Sequence, residues 1–268
     1  MDNEFSKDRQ GTGTYEWADT TYNIQKGCSH GCLYCYACES ALRYKRINNR
    51  QEWLTEVINH KAVNKKWSSS NKTIMFPTTH DITPENIDFC IIALKNMLMP
   101  GNKVLIVSKP HLSCIQTLCK ELEHWKEQIL FRFTIGSIDD GICSFWEPGA
   151  PSPAERYHAL EYAFKQGFQT SASMEPMLHD RHNAVVTFWF LKRYVTDTIW
   201  VGRMNKPKIR VDTTNPDNKF MVEDIGIKQL DAEILKLVEV LKDEPKVRWK
   251  DSIKAIIKRS LEHDTQSR

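Results

Sequence analysis

The chain alternates short apolar runs with stretches whose apolar residues recur every three or four positions. Runs at 20–26 (TTYNIQK), 72–77 (KTIMFP), 103–109 (KVLIVSK), 129–137 (ILFRFTIGS), 168–176 (FQTSASMEP) and 198–204 (TIWVGRM) read as six strands. Between them the helical period appears. Trp53, Leu54, Val57, Ile58 and Ala62 share one stripe over 51–66. A second helix starts at Thr83-Pro84, carries Ile87, Ile91, Leu94 and Leu98, and stops at Pro100-Gly101. Others are predicted at 112–126, from Ser152-Pro153 to Gly167, and at 181–195. Strands that are apolar almost throughout suit a parallel sheet covered on both faces. The alternation predicts an α/β protein, and by itself fits a doubly wound sheet as well as a barrel. After Lys206 the pattern changes: DTTNPDNK at 212–219 reads as a linker, and helices follow at 228–242 and 248–262. Their stripes (Ile234, Leu237, Val238, Leu241, then Trp249, Ile253, Ile256, Ile257) can each bury one face against the rest. The division expected is 1–211 and 212–268.

Composition narrows this picture without redirecting it. The 268 residues include 41% apolar positions, enough for a core. The charge of +3, from 37 basic and 34 acidic residues, is too small to argue for nucleic acid. The polar start MDNEFSKDRQGTGTYEW has no apolar leader segment, and no run has membrane-spanning length. A reducing, cytoplasmic setting is expected, where cysteines serve as metal ligands, catalytic groups or small apolar core residues.

The eight cysteines are unevenly spread. Cys28, Cys32, Cys35 and Cys38 fall within GCSHGCLYCYACES, while Cys90, Cys114, Cys119 and Cys143 are scattered. Gly27 and Gly31 let the backbone turn tightly around an object. Three thiolates at this spacing can converge from one loop, and such soft ligands suit an iron–sulfur cluster or zinc. A zinc site would need Cys38 or His30 as a fourth ligand.

The spacing Cys28-x3-Cys32-x2-Cys35, with Tyr34 before the third cysteine, resembles the signature of the radical S-adenosylmethionine enzymes. The longer phrase GCSHGCLYCYA is similar to the branch that includes spore photoproduct lyase. The resemblance implies a partial TIM-type (β/α)6 barrel with a short C-terminal helical extension. It implies a 4Fe–4S cluster on Cys28, Cys32 and Cys35 whose open iron binds S-adenosylmethionine. One-electron reduction then yields methionine and a 5′-deoxyadenosyl radical that abstracts hydrogen from a substrate. An electron donor such as flavodoxin or ferredoxin is implied, and the photolyase-like branch suggests a nucleic acid or nucleotide substrate.

In such a barrel the site lies at the C-terminal strand ends, where this chain is polar. Lys109, in an SKP segment similar to that branch, is expected to meet the cofactor carboxylate. Under the resemblance Ser137 is expected to donate to ribose or carboxylate, and Thr78 and Thr79 to meet the amino group. Tyr34 and Tyr36 are expected to pack on adenine and shield the cluster. Arg156 is either a second carboxylate ligand or a solvated helix arginine. Glu175 binds ribose hydroxyls or substrate. Cys143, read as part of the loop after the fourth strand, is a candidate hydrogen donor to a product radical. Trp146 and Tyr36 are candidate stacking partners for a base. Cys38, Cys90, Cys114 and Cys119 are expected in the core. His30 is expected to bond backbone, and His80-Asp81 and His179-Asp180 are acid–base candidates or plain loop pairs.

The competing function class is a zinc-stabilised nucleic-acid-binding module, supported by RYKR at 43–46 and by Lys246, Arg248, Lys250, Lys254, Lys258 and Arg259 near the C-terminus. Interleaved acids make solvated helix faces the simpler account of those cations.

Overall fold

The computed structural model describes Phe5, residues 11–70 and residues 72–266, with side chains to 262. The expectation drawn from the first ten positions of the polar start therefore falls, apart from Phe5, outside the described residues. The strands are β1 (Thr20–Thr21), β2 (Gln25–Lys26), β3 (Val57–Ile58), β4 (Thr73–Phe76), β5 (Lys103–Ser108), β6 (Ile129–Thr134), β7 (Gln169–Met174), β8 (Ile199–Val201) and β9 (Val247–Trp249). The helices up to the end of the fifth predicted unit are α1 (Tyr36–Arg43), α2 (Arg50–Trp53), α3 (His60–Val63), α4 (Ile87–Leu98), α5 (Leu112–Glu121), α6 (Asp140–Trp146), α7 (Pro153–Lys165) and α8 (Arg181–Lys192). They are followed by α9 (Pro207–Arg210), α10 (Pro216–Lys228), α11 (Asp231–Leu241) and α12 (Asp251–Gln266).

Seven strands form one parallel sheet in the order β1-β4-β5-β6-β7-β8-β9. Its two faces are separated by the period of two. Ile74, Phe76, Val104, Ile106, Phe131, Phe133, Ala172, Met174, Ile199 and Val201 point outward into the core shared with the helices. Met75, Leu105, Val107, Leu130 and Trp200 point inward and meet Phe5 and Trp17. Helices on one face and a filled concave face make this a partial TIM-type barrel, not a doubly wound sheet. The edge strands β1 and β9 do not pair, and the 3-10 turn Gly13–Glu16 lies across the gap, with Gly13 N donating to Asp251 Oδ2 at 3.2 Å.

Several expected boundaries change. The first strand divides: β1 joins the barrel, while β2 pairs antiparallel with β3. The helix expected over 51–66 is broken into α2, β3 and α3. The break follows local chemistry, because Asn49 and Asn59 each cap a new helix start and β-branched Val57 and Ile58 pair with β2. Thr83-Pro84 does not begin its helix; Thr83 and Asn86 close a turn on each other, and α4 starts at Ile87. The segment 212–219 is no plain linker, since Asn215 caps α10 from Pro216. The sixth strand is followed by a seventh, β9, where a helix from 248 was expected. Ser152 does cap α7, with Pro153 in the first turn.

Asp180 caps α8, its Oδ1 accepting from Asn183 N at 2.8 Å. Burial opposes its charge, but that backbone donor and His179 outweigh it and hold the carboxyl below its usual range. A depressed carboxyl stabilises the fold at pH above about 4, and the contribution fades as pH falls through the lowered value. Asp180→Ala should cost about 1 kcal/mol at neutral pH. Urea denaturation at pH 7 checks this, and a loss that grows on acidification is the wrong sign.

Candidate active site

The loop between β2 and α1 is shaped by glycine. Gly27 has φ +87°, and a Cβ there would lie 2.1 Å from the Thr55 carbonyl oxygen. Gly31 has φ +60°. Across the loop, Gly149 N donates to His30 O at 2.9 Å, and a Cβ on Gly149 would lie 2.5 Å from Ser29 O. Cys28 N donates to Trp53 O at 2.8 Å and Leu33 N to Trp146 O at 2.9 Å, so neighbouring segments clamp the loop on both sides. Cys35 caps α1, its Sγ accepting from Cys38 N at 3.4 Å.

Cys28, Cys32 and Cys35 line one wall of a cavity of about 910 Å³ at the C-terminal ends of the strands. Tyr34, Tyr36, Thr78, Thr79, Lys109 and Glu175 share that lining. Thr78 and Thr79 are fixed by Asn23, whose Oδ1 accepts from both backbone N–H groups at 2.8 and 2.9 Å. Tyr36 donates to Thr78 O. The lining also includes Arg203, Lys206 and Arg210, with Thr12, Gly13, Asp251 and Ser252 at the gap between the sheet edges.

Lys109 is the main cation on the cysteine side. Its Nζ lies 3.9 Å from Asp81 Oδ2 and 4.0 Å from Glu147 Oε1. Burial disfavours its charge, yet Cys32, Tyr34, Asp81 and Glu147 outweigh burial and hold its pKa well above the ordinary value. Asp81 is the reciprocal case. Burial pushes its carboxyl up, while Lys109 and His30, with Lys109 N donating at 2.6 Å, bring it well below the usual range. Burial pushes the Cys32 thiol up to about 12, with Lys109 opposing, and Cys28 is raised by burial and then by Asp81. On their own these two cysteines are neutral thiols, so a metal group bound here must displace protons.

His30 makes side-chain contacts instead of the expected backbone bond. Its Nδ1 lies 2.9 Å from Asp81 Oδ2 and its Nε2 3.2 Å from His111 Nε2. Among the described residues, one trio of cysteine, histidine and carboxylate has ligand atoms within 4.8 Å of one another: Cys28, His30 and Asp81. Cys28, Cys32 and Cys35 are not gathered in that way, whereas one zinc at about 2.3 Å would hold its sulfurs roughly 4 Å apart. Cys38 is buried beside Cys28 in a small apolar cluster and is absent from the cavity lining. Three soft donors spread along one wall, without Cys38, fit a cluster better than a single ion.

Three expected residues lie outside the lining. Ser137 is fully buried, its Oγ accepting from Asp139 N at 3.0 Å. Cys143 lies in helix α6, not in a loop, and its thiol points to Ser137 O at 3.5 Å. Burial pushes that thiol up to about 12. Arg156 is not solvated: it is 1% exposed, and its Nη1 meets Glu147 Oε2 at 2.5 Å while Nε donates to Pro151 O at 2.7 Å. Trp146 is wholly buried against Phe145 and is removed as a stacking surface; Tyr36 remains exposed at the mouth. Cys90, Cys114 and Cys119 are in the core as expected. The carboxylate of Asp81 turns to His30, while His80 meets the Asp81 carbonyl at Nδ1 and accepts from Ile24 N at Nε2, and His179 is bound by Asp180 and Lys228.

Sequence reasoning missed the groups behind the lining. Glu147, fully buried, accepts from Tyr34 and pairs with Arg156, tying the cysteine loop to α7. Nothing in the sequence around Glu147 announces a partner, because Arg156 and Tyr34 reach it only through the fold. Lys250, read as one cation among a solvated set, is also fully buried.

No protein-family model matches the chain. The uncharacterized protein ORF301 of Acidianus two-tailed virus is 23% identical over 171 residues, covering 58% of this chain and 54% of that protein. The match thus spans about half of that relative's length. Among solved structures, spore photoproduct lyase with bound AdoMet and dinucleoside spore photoproduct superposes with TM-score 0.53 at 14% identity, over 92% of this chain and 79% of the other. Streptococcus suis SuiB bound to S-adenosylmethionine gives TM-score 0.52 at 13% identity, over 86% of this chain and 49% of SuiB. The chain has the fold of these two radical S-adenosylmethionine enzymes over most of its length.

Proposed function

We propose that the chain is a radical S-adenosylmethionine enzyme acting on a nucleic acid or nucleotide. The observation that carries the reading is the meeting of Cys28, Cys32 and Cys35 on one wall of a cavity that also holds the charged Lys109. These cysteines would hold a 4Fe–4S cluster, which when bound supplies the electron that splits S-adenosylmethionine into methionine and a 5′-deoxyadenosyl radical. The electron comes from a donor such as flavodoxin or ferredoxin.

The remaining work belongs to the chain. Lys109 pairs with the cofactor carboxylate, and its own partners Asp81 and Glu147 keep it charged and in place. Thr78 and Thr79 receive the amino group with a backbone already fixed by Asn23. Tyr34 and Tyr36 cover the adenine side and exclude water, and Glu175 takes ribose hydroxyls. Arg203, Lys206 and Arg210 at the mouth favour a phosphate-bearing substrate, with exposed Tyr36 available to stack on a base. Spore photoproduct lyase, whose structures hold a dinucleoside photoproduct, and SuiB, which binds a precursor peptide, mark two substrate classes for this fold. The cations favour the first.

Anaerobic reconstitution followed by metal and sulfide analysis tests the reading. About four irons with matching sulfide are expected per chain. Reduction with S-adenosylmethionine present should release 5′-deoxyadenosine. One zinc per chain without sulfide, or no 5′-deoxyadenosine from iron-loaded protein, would overturn it.

A further inference from the structure

At the barrel rim, three parallel strands end in register. Met174 pairs with Val201, and Val201 pairs with Trp249. The next rung is therefore Glu175, Gly202 and Lys250, on which Gly202 N donates to Met174 O at 3.1 Å and Lys250 N to Val201 O at 2.9 Å. Successive strands lie about 4.8 Å apart, so Glu175 and Lys250 stand two spacings from each other. They meet because the middle residue has no side chain. A Cβ on Gly202 would lie 3.0 Å from both Glu175 Cγ and Lys250 Cγ.

Lys250 reaches over that glycine with nothing exposed to solvent. Its Nζ is 2.5 Å from Glu16 Oε2, 2.7 Å from Gly13 O and 3.6 Å from Glu175 Oε2. The first two are within hydrogen-bonding distance of the ammonium, and Glu175 is a longer ion-pair partner. The aliphatic stem and head lie against Trp17, whose ring centre is 4.4 Å from Nζ. Glu16, itself 2% exposed, also accepts from Asp251 N and Lys254 Nζ, so it binds the start of α12 as well. A buried cation is tolerated only when paired and hydrogen-bonded, and removing one member leaves the others uncompensated. Both structures that Lys250 joins are parts of the cavity wall: Glu175 on one side, and the turn from Thr12 to Tyr15 on the other.

We propose that Lys250 is a positioning residue that fixes the Glu175 carboxylate at the cavity and holds the N-terminal turn closed across the open side of the barrel. The C-terminal segment is then part of the binding site and not an appendage. Lys250 itself is not in the lining. The effect on ligand rests on the reading of the cavity as an S-adenosylmethionine site; the closure of the turn does not.

Full-length Lys250→Met and Lys250→Arg proteins test this with two readouts. The first is limited proteolysis of the apo protein, followed by mapping of cuts between residues 11 and 19 by mass spectrometry. The second is equilibrium dialysis of S-adenosylmethionine on iron-loaded protein. Lys250→Met should be cut in that segment about tenfold faster and bind about tenfold more weakly, while Lys250→Arg stays within about threefold of wild type on both. Folded Lys250→Met with unchanged cutting, or with faster cutting but unchanged binding, overturns the proposal. If Lys250→Met does not fold, Glu16→Gln, which keeps the shape and removes the charge paired with Lys250, must speed cutting between residues 11 and 19; no change overturns the proposal. Wild type that fails to bind S-adenosylmethionine refutes the cofactor reading instead, and the cutting pattern alone then decides whether Lys250 holds the turn.

Discussion

A Cys32→Ser protein, reconstituted anaerobically, is expected to lose its iron and with it all release of 5′-deoxyadenosine. The effect should be complete and not graded. Three cysteines from one loop supply every protein ligand of the proposed cluster, and a hydroxyl is a poor substitute for a soft thiolate. Lys109 is also the leading influence opposing the effect of burial on the Cys32 thiol. Cys28→Ser and Cys35→Ser should behave alike. Cys38→Ala and Cys143→Ala should keep their iron, because neither side chain reaches the cavity. Iron and sulfide content per chain is the measurement. Full iron in Cys32→Ser would remove the cluster assignment, and loss of metal in Cys38→Ala would move the site toward a four-cysteine zinc centre.

Arg156→Met is expected to destabilise the fold by about 3–5 kcal/mol, the cost of stranding one buried partner of an ion pair. Both side chains are out of solvent, at 1% and 0% exposure, and Glu147 Oε2 lies 2.5 Å from Arg156 Nη1. What remains for Glu147 is Tyr34 and the more distant Lys109. Adding Glu147→Leu to Arg156→Met should restore much of the loss, because the destabilisation comes from an unpaired charge more than from lost pairing energy. Urea denaturation followed by circular dichroism measures both proteins. A single-variant loss under about 1 kcal/mol would show that Glu147 is not held by Arg156. The segment carrying Glu147 also holds the cysteine loop through Trp146 O and Gly149 N, so Arg156→Met should retain iron less well than wild type.

Much of the barrel was legible because its strands are apolar on both faces and separated by helix-period segments. The errors have local causes. The stripe through Trp53, Val57, Ile58 and Ala62 fits a helix on paper, but Asn59 inside it is a better cap than interior residue, and Val57 and Ile58 find a partner strand in β2. Strand β9 is only three residues long and runs straight into α12, so its apolar Val247 and Trp249 were absorbed into a helical stripe. Only the hydrogen bonds of β8 identify it.

The candidate site divides in the same way. The cysteine loop was readable, since spacing, glycines and tyrosine lie within one short stretch. Thr78, Thr79, Lys109 and Glu175 were readable as residues just past strand ends, a position that parallel topology sends to one rim. Ser137, Cys143 and Arg156 satisfy the same positional rule and yet lie outside the lining, because a residue past a strand end can turn away from the mouth. Position along the chain does not record that turn.

The sequence by itself determined the α/β alternation, the cysteine loop and the rim that it shares with Lys109. Only the tertiary structure decided which charges are buried together. Glu147 with Arg156, Asp81 with His30, and Lys250 with Glu16 and Glu175 are 9, 51, 234 and 75 positions apart in the chain. No periodicity links such pairs. They exist because an ion removed from water needs a counter-charge within a few ångströms, and the fold alone sets which groups come that close.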